Sequence, residues 1–279
     1  MGDAAQGPEL DGDYELGPVS AESRHPEADK PAGGDIHDDS VAAEYGFAGA
    51  FVPGIRILEA ALAPAYRTWG VGWFNGGRVA LRHRRPVYHG TEVVGRYRRR
   101  DADGSFDLAV LDPAGEEVAV GELHGPRGLV PAVPPPPHVP VASPKRLAEK
   151  GSIAVGDIVS GEPTVIDDAL LHLNHFDDPS MRTPGTPLLA ASLVVHLAGA
   201  AGFGTYDWVT PGMYYAADAT FSAAPRFGAT IRSSGPVVET FERNGNDYFV
   251  VDYTVADEER VLAVVRQTVL YYLAPRPAR

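Results

Sequence analysis

The sequence predicts an α+β protein made of two similar halves, each a long helix followed by antiparallel strands. Three observations carry this expectation. A proline-rich run, PAVPPPPHVPVASP at 131–144, divides the chain near its middle and reads as an extended, semi-rigid connection. One helix-period segment stands on each side of it. After each helix come four strand-like runs with a hairpin dipeptide, Asp103-Gly104 in the first half and Asn244-Gly245 in the second.

Taken in order, residues 1–12 are polar and acidic and are expected to form a disordered tail. The first helix starts at Pro53-Gly54 and places Leu58, Ala61, Leu62, Ala65, Tyr66 and Trp69 on one stripe, with Pro64 expected to kink it. Strands follow over 78–88, 91–100, 105–112 and 116–124. In the second half Thr186 is expected to cap a helix with Pro187 at its first position. The run LLAASLVVHLAGAA is apolar nearly all round, so that helix should be deeply buried. Strands follow again near 212–223, 229–241, 247–255 and 260–273, and RPVYHG at 85–90 lines up with APRFG at 224–228. A helix laid across a curved antiparallel sheet is the hotdog arrangement. The expected fold is therefore a double hotdog, two long central helices each wrapped by a curved antiparallel β-sheet. Its units are 13–128 and 146–275, joined by a linker at 129–145.

Bulk properties narrow the function. A net charge of −13 argues against nucleic acid as a partner. The absence of cysteine excludes disulfides and thiol chemistry. No window approaches the roughly 18 apolar residues of a membrane span, and the acidic N-terminus lacks the order of a signal peptide. A cytoplasmic protein with no membrane partner is expected. The chain carries neither Gly-x-Gly-x-x-Gly nor a Walker motif, and no Gly-x-Ser-x-Gly, so no cofactor is expected and a serine hydrolase is disfavoured.

The chemistry concentrates at one place. Ile36-His37-Asp38-Asp39 precedes Gly54, at the head of the first helix, by seventeen residues counted from His37. A proton shuttle beside backbone N–H donors suits chemistry next to a carbonyl or thioester. On the structural alternative, Asp39 caps a short helix over 40–46, Asp38 is its first-turn neighbour, and His37 is a loop residue satisfied by that cap.

The stretch IHDDSVAAEYGFAGAFVPG resembles the hydratase signature of MaoC-like, (R)-specific enoyl-CoA hydratases. His37 and Asp39 match its histidine-x-aspartate, Ala43, Gly46 and Phe47 the helix after it, and Gly54 the glycine whose amide helps form an oxyanion hole. The family's catalytic aspartate, five residues before the histidine, is Ala32 here. Its histidine before the helix glycine is Pro53. Asp35, Asp38 and Glu27 are the carboxylates left to stand in. The resemblance implies a hydro-lyase that adds or removes water across a 2,3-double bond of an acyl-CoA or acyl-carrier-protein thioester. Catalytic candidates are His37, Gly54, Asp35, Asp38 and Asp39, and substrate-binding candidates are Phe47, Pro53, Arg82 and Arg84. The tandem unit is compatible with a further homodimer. The alternatives are a hotdog acyl-CoA thioesterase, with Asp38 or Glu59 as its carboxylate, and a catalytically silent acyl-binding or assembly protein.

Other features have plainer readings. His172, His175, Asp177 and Asp178 precede the second helix, but no further ligands accompany them and no metal is expected. That half is expected to line the acyl pocket as the degenerate partner. His196 falls mid-helix among Val and Leu and reads as a satisfied core histidine. Arg82, Arg84, Arg85, Arg96, Arg98, Arg99 and Arg100 form stripes that face local acids on the bland reading, and coenzyme A phosphates or an acidic carrier surface on the functional one.

Overall fold

A computed structural model describes residues 11–21, 34–100, 104–128, 131–173 and 183–274. Residues 1–10 of the predicted tail, Glu27, Ala32, Asp103, His175, Asp177 and Asp178 lie outside the described residues.

The first half opens with strand β1 (Gly12–Pro18), a short helix α1 (Asp39–Glu44) and the long helix α2 (Gly54–Trp69). Strands β2 (Arg78–His83), β3 (Glu92–Arg99), β4 (Ser105–Leu111) and β5 (Glu117–His124) follow. Helix α2 begins at Gly54 as its sequence predicts, and Leu58, Ala61, Leu62 and Ala65 are buried along the expected stripe. The Tyr97 hydroxyl on β3 donates to the Ala61 carbonyl and ties that stripe to the sheet. Strand β1 is missing from the sequence reading. It is an edge strand whose Tyr14 and Leu16 pack on the core, and on its exposed face Asp13 pairs with Arg96 of β3 at 2.9 Å.

The second half carries the short strands β6 (Arg146–Ala148), β7 (Ile158–Ser160) and β8 (Thr164–Val165), helix α3 (Asp168–Leu173) and the long helix α4 (Ala191–Thr205). Then come β9 (Tyr206–Trp208), β10 (Met213–Phe221), β11 (Thr230–Arg243), β12 (Asn246–Ala256) and β13 (Val261–Tyr272). Asn244 and Gly245, at φ of 55° and 80°, form the tight hairpin between β11 and β12. The proline-rich connection lies against this half. Its Val133 carbonyl accepts from the Val261 N–H at 2.8 Å, and its Val139 carbonyl from the Ser160 hydroxyl at 2.5 Å.

The two sheets expected around the two helices are continuous with each other. Eleven strands form one antiparallel sheet in the order β1-β3-β4-β5-β2-β10-β13-β12-β11-β7, with β8 paired to β11. The halves join edge to edge through β2 and β10, with Arg82 opposite Ala216 and Ala80 opposite Asp218. Pairing removes two exposed edges at once. Arg78 clamps the joint by donating to both carboxylate oxygens of Asp218, at 2.7 and 2.6 Å. Helices α2 and α4 pack on each other; α4 also packs on β10 to β13, and α2 on β4 and β10.

Helix α4 starts at Ala191, not at the predicted Thr186-Pro187. The segment before it is taken up by pairing with 225–227: Leu188 N–H donates to the Pro225 carbonyl and Gly185 N–H to the Phe227 carbonyl, both at 2.9 Å. Tertiary pairing outweighs a sound local start signal there. The cap comes from the other helix, because the Ala191 N–H donates to the Tyr66 hydroxyl at 2.8 Å. Tyr66→Phe leaves that buried amide unpaired and is expected to cost about 1–3 kcal/mol in urea unfolding. An unchanged midpoint and slope would show that the cap contributes nothing.

Candidate active site at the head of the first long helix

His37 lies in a tight turn whose ends are joined by the Asp38 N–H donating to the Asp35 carbonyl at 2.9 Å. Its own backbone N–H donates to the Asp35 carboxylate at 3.0 Å. The ring Nδ1 lies 2.7 Å from the Phe51 carbonyl. A carbonyl oxygen only accepts, so Nδ1 carries the proton of the neutral ring and Nε2 keeps its lone pair. That Nε2 is 3.9 Å from the Asp35 carboxylate, with the two side chains 21% and 12% exposed. The Phe51 N–H also donates to the Ile36 carbonyl at 3.1 Å. The histidine turn is thereby stitched to the chain three residues before Gly54.

The other two acids of the motif hold structure. Asp38, not Asp39, is the N-cap of α1, accepting from the Ser40 N–H at 2.8 Å and the Ser40 hydroxyl at 2.6 Å. The helix therefore runs from Asp39 to Glu44, not over 40–46. Asp39 accepts from the Ala50 N–H at 2.7 Å and pins the returning loop. Phe47, in that loop, stacks edge-on against Phe51 at 4.6 Å and packs against Tyr248, Leu270 and Leu273 of the second half. Of the three acids, Asp35 is the one beside the histidine ring.

Gly54 itself meets two residues outside the motif, His83 and Tyr214. A Cβ at Gly54 would stand 2.3 Å from Tyr214 Cδ1 and 2.7 Å from His83 Nε2. The rings of His83 and Tyr214 meet edge-on at 5.0 Å. Each residue is half-buried as a whole, yet His83 Nε2 and the Tyr214 hydroxyl are sealed from solvent with no hydrogen-bond partner. Burial lowers the His83 pKa to about 4, so the ring is neutral at pH 7, and it raises the Tyr214 phenol well above its ordinary value. Polar atoms left unpaired like this typically cost about 1–3 kcal/mol each.

His83 was readable: Val79, Leu81 and His83 alternate on the inward face of β2, opposite Arg82. Tyr214 was not, because inward Ala217, Ala219 and Phe221 imply Tyr215 as the next inward residue. A register shift between Tyr214 and Ala216 turns Tyr214 to the main core and sends Tyr215 to the smaller cluster around Tyr248.

Arg82 is exposed on the outer face of β2, and Arg84 pairs with Glu117. Arg85 meets Glu116 at 2.9 Å, Arg96 meets Asp13, and Arg100 meets Glu122 at 2.6 Å, so the stripe is largely engaged by local acids. Pro53 precedes α2 without a side-chain cap. Glu59, one and a half turns into α2, pairs with Arg56, and burial pushes its carboxyl up to about 6 against that pull. His196 is half-buried in α4 and engaged there. Among the described residues no three His, Cys, Asp or Glu side chains gather as a metal-ligand set, and no helix is long and apolar enough to cross a membrane.

These features define a double hotdog protein, two helix-bearing halves fused along one sheet. Solved structures of that class resemble it along nearly their whole length. One is described as a MaoC domain protein dehydratase from Chloroflexus aurantiacus J-10-fl, at TM-score 0.59 and 13% identity over 99% of this chain and 100% of that one. A MaoC-like dehydratase gives 0.56 and 16% over 93% and 97%. A conserved hypothetical protein from Mycobacterium tuberculosis, with a double hotdog fold, gives 0.58 and 12% over 94% and 96%. At such identities the likeness is one of fold. No family model and no curated protein sequence matches the chain.

Proposed function

We propose that the protein is an acyl-thioester hydro-lyase of the MaoC-like type, adding or removing water across the 2,3-double bond of an acyl-CoA or acyl-carrier-protein thioester. The observation that carries this is the fixed tautomer of His37, whose Nδ1 is bound to a carbonyl and whose Nε2 faces Asp35. In the hydration direction Nε2 takes a proton from water as the oxygen bonds to C3. The C2–C3 π pair moves toward the thioester, its carbonyl oxygen gains the charge, and the enolate collapses as C2 takes the proton back from Nε2, which returns the ring to its neutral form. Asp35 steadies the imidazolium, and the head of α2 at Gly54 supplies positive potential for the oxygen. The neighbours described as dehydratases support the same chemistry. On this reading Phe47 and Pro53 border the acyl group, and Arg82 and Arg84 meet the carrier.

The test follows enoyl absorbance and free thiol together on crotonyl-CoA and longer enoyl-CoAs. Loss of absorbance without thiol is expected. Thiol release would replace this reading with a thioesterase.

Glu59 is the specific observation behind that second reading, since a half-buried carboxyl near pKa 6 is poised as a base. It also gives a stability prediction. The folded pKa of about 6 lies above the ordinary 4.5. Glu59 therefore favours folding fully below pH 4.5, and this contribution is lost as pH rises through 6. Glu59→Gln removes the penalty, so at pH 7 the variant should be more stable than wild type by up to about 2 kcal/mol. The gain should vanish by pH 4.5 in parallel urea titrations. A thioesterase working through Glu59 would lose its thiol release in the same variant.

A further inference from the structure

We infer that His83 and Tyr214 form a two-point hydrogen-bonding site for the thioester carbonyl oxygen at the head of α2, one residue from each half. The inference rests on the acyl-thioester reading above and adds to it the groups that hold the oxygen.

Three independent features meet at this corner. The first is the pair of buried polar atoms, His83 Nε2 and the Tyr214 hydroxyl, which have no partner among the described residues although their rings touch. The second is Gly54, whose missing Cβ is what lets both side chains close on the helix terminus. The third is the β10 irregularity, which turns Tyr214 into this corner against the alternation of its strand. Simple packing would be served as well by two phenyl rings, which carry no atoms to leave unpaired.

The ligand's chemistry follows from charge. Burial keeps the His83 ring neutral. What the site offers is an imidazole N–H, a phenol O–H and the positive end of a helix. That set suits a neutral carbonyl whose oxygen gains negative charge during reaction, and it gives little to a cation. The site draws on β2 and β10, the two strands that fuse the halves, so the joint itself carries part of the active site. His83 and Tyr214 would touch substrate, while His37, held to the Phe51 carbonyl three residues before Gly54, would handle the proton.

The experiment compares wild type with Tyr214→Phe and His83→Phe, which remove the polar atoms and keep a ring. Butyryl-CoA labelled with 13C at its carbonyl has no double bond to hydrate, and its carbonyl stretch reports hydrogen bonding by difference infrared spectroscopy. Crotonyl-CoA hydration gives kcat and KM. Wild type is expected to lower the stretch on binding, and each variant to lower it less. Each variant should lose about 10²-fold or more in kcat with a smaller change in KM. The thermal midpoint of Tyr214→Phe should equal or exceed that of wild type, because an unpaired hydroxyl is removed. If wild type hydrates crotonyl-CoA and both variants keep its kcat and its carbonyl frequency, the inference is overturned and the hydro-lyase reading stands. If wild type neither binds butyryl-CoA nor consumes crotonyl-CoA, the reading fails and takes the inference with it.

Discussion

His37→Ala is expected to slow hydration of crotonyl-CoA by about 10²–10⁴-fold, the usual contribution of a positioned general base, with KM much less affected. The size follows from how the ring is held. Its Nδ1 bond to the Phe51 carbonyl leaves Nε2 as the basic atom, and the turn is fixed by the Asp35 contacts on either side of it. Stability should fall by only about 1 kcal/mol, since one hydrogen bond of a half-buried side chain is lost. Asp35→Asn keeps the turn but removes the charge 3.9 Å from Nε2. Its expected effect is about tenfold, equivalent to 1.4 kcal/mol of barrier. Asp38→Asn should leave the rate unchanged, because Asp38 faces Ser40 as a helix cap and asparagine caps nearly as well. Equal losses from Asp35→Asn and Asp38→Asn would mean that the acids act through the fold of the turn and not through the ring.

The parts of this architecture that were legible in the sequence are those where local pattern and tertiary role agree. The α2 stripe, the eight main strands and the Asn244-Gly245 hairpin all satisfy their period or turn chemistry within a few residues. What escaped was decided by partners far along the chain. Thr186-Pro187 is a good helix start, yet pairing with 225–227 claims it and Tyr66 caps the helix four residues later. Strand β1 alternates for only four residues, Asp13 to Leu16, too short a run to stand out, and it is held by pairing with β3. The fusion of two sheets at β2 and β10 is equally non-local, and no short-range signal marks an edge as destined for a partner. The candidate site divides the same way. His37 and Asp35 stand two residues apart and their turn is local, so the motif revealed them. His83 stands among arginines that read as an outward stripe, although the alternation of β2 turns it inward. Tyr214 was hidden by physics, because a bulge resets the period on which any strand reading depends.

Gly54→Ala is expected to lower both stability and activity, and the two losses should respond differently to a second change. The added Cβ falls 2.3 Å from Tyr214 Cδ1 and 2.7 Å from His83 Nε2, closer than real carbons approach, so the helix start or the two rings must move. Overpacking of this kind costs about 1–3 kcal/mol. Displacing reacting groups by about 1 Å can cost a further 10²-fold in rate. Both neighbours lie on strands at the joint between the halves, where β2 and β10 are already paired, so relief by backbone movement is opposed on both sides. The nearest clash is with a ring carbon. Tyr214→Phe keeps that carbon and should give no relief, while Tyr214→Ala removes it and should lower the cost of Gly54→Ala to what the remaining His83 contact imposes, a coupling visible in a urea double-mutant cycle. Activity should not return, because the double variant still lacks the Tyr214 hydroxyl. Recovery of stability with full recovery of rate would mean that Tyr214 only fills space at this corner. Recovery of stability alone separates the packing role of its ring from the chemical role of its oxygen.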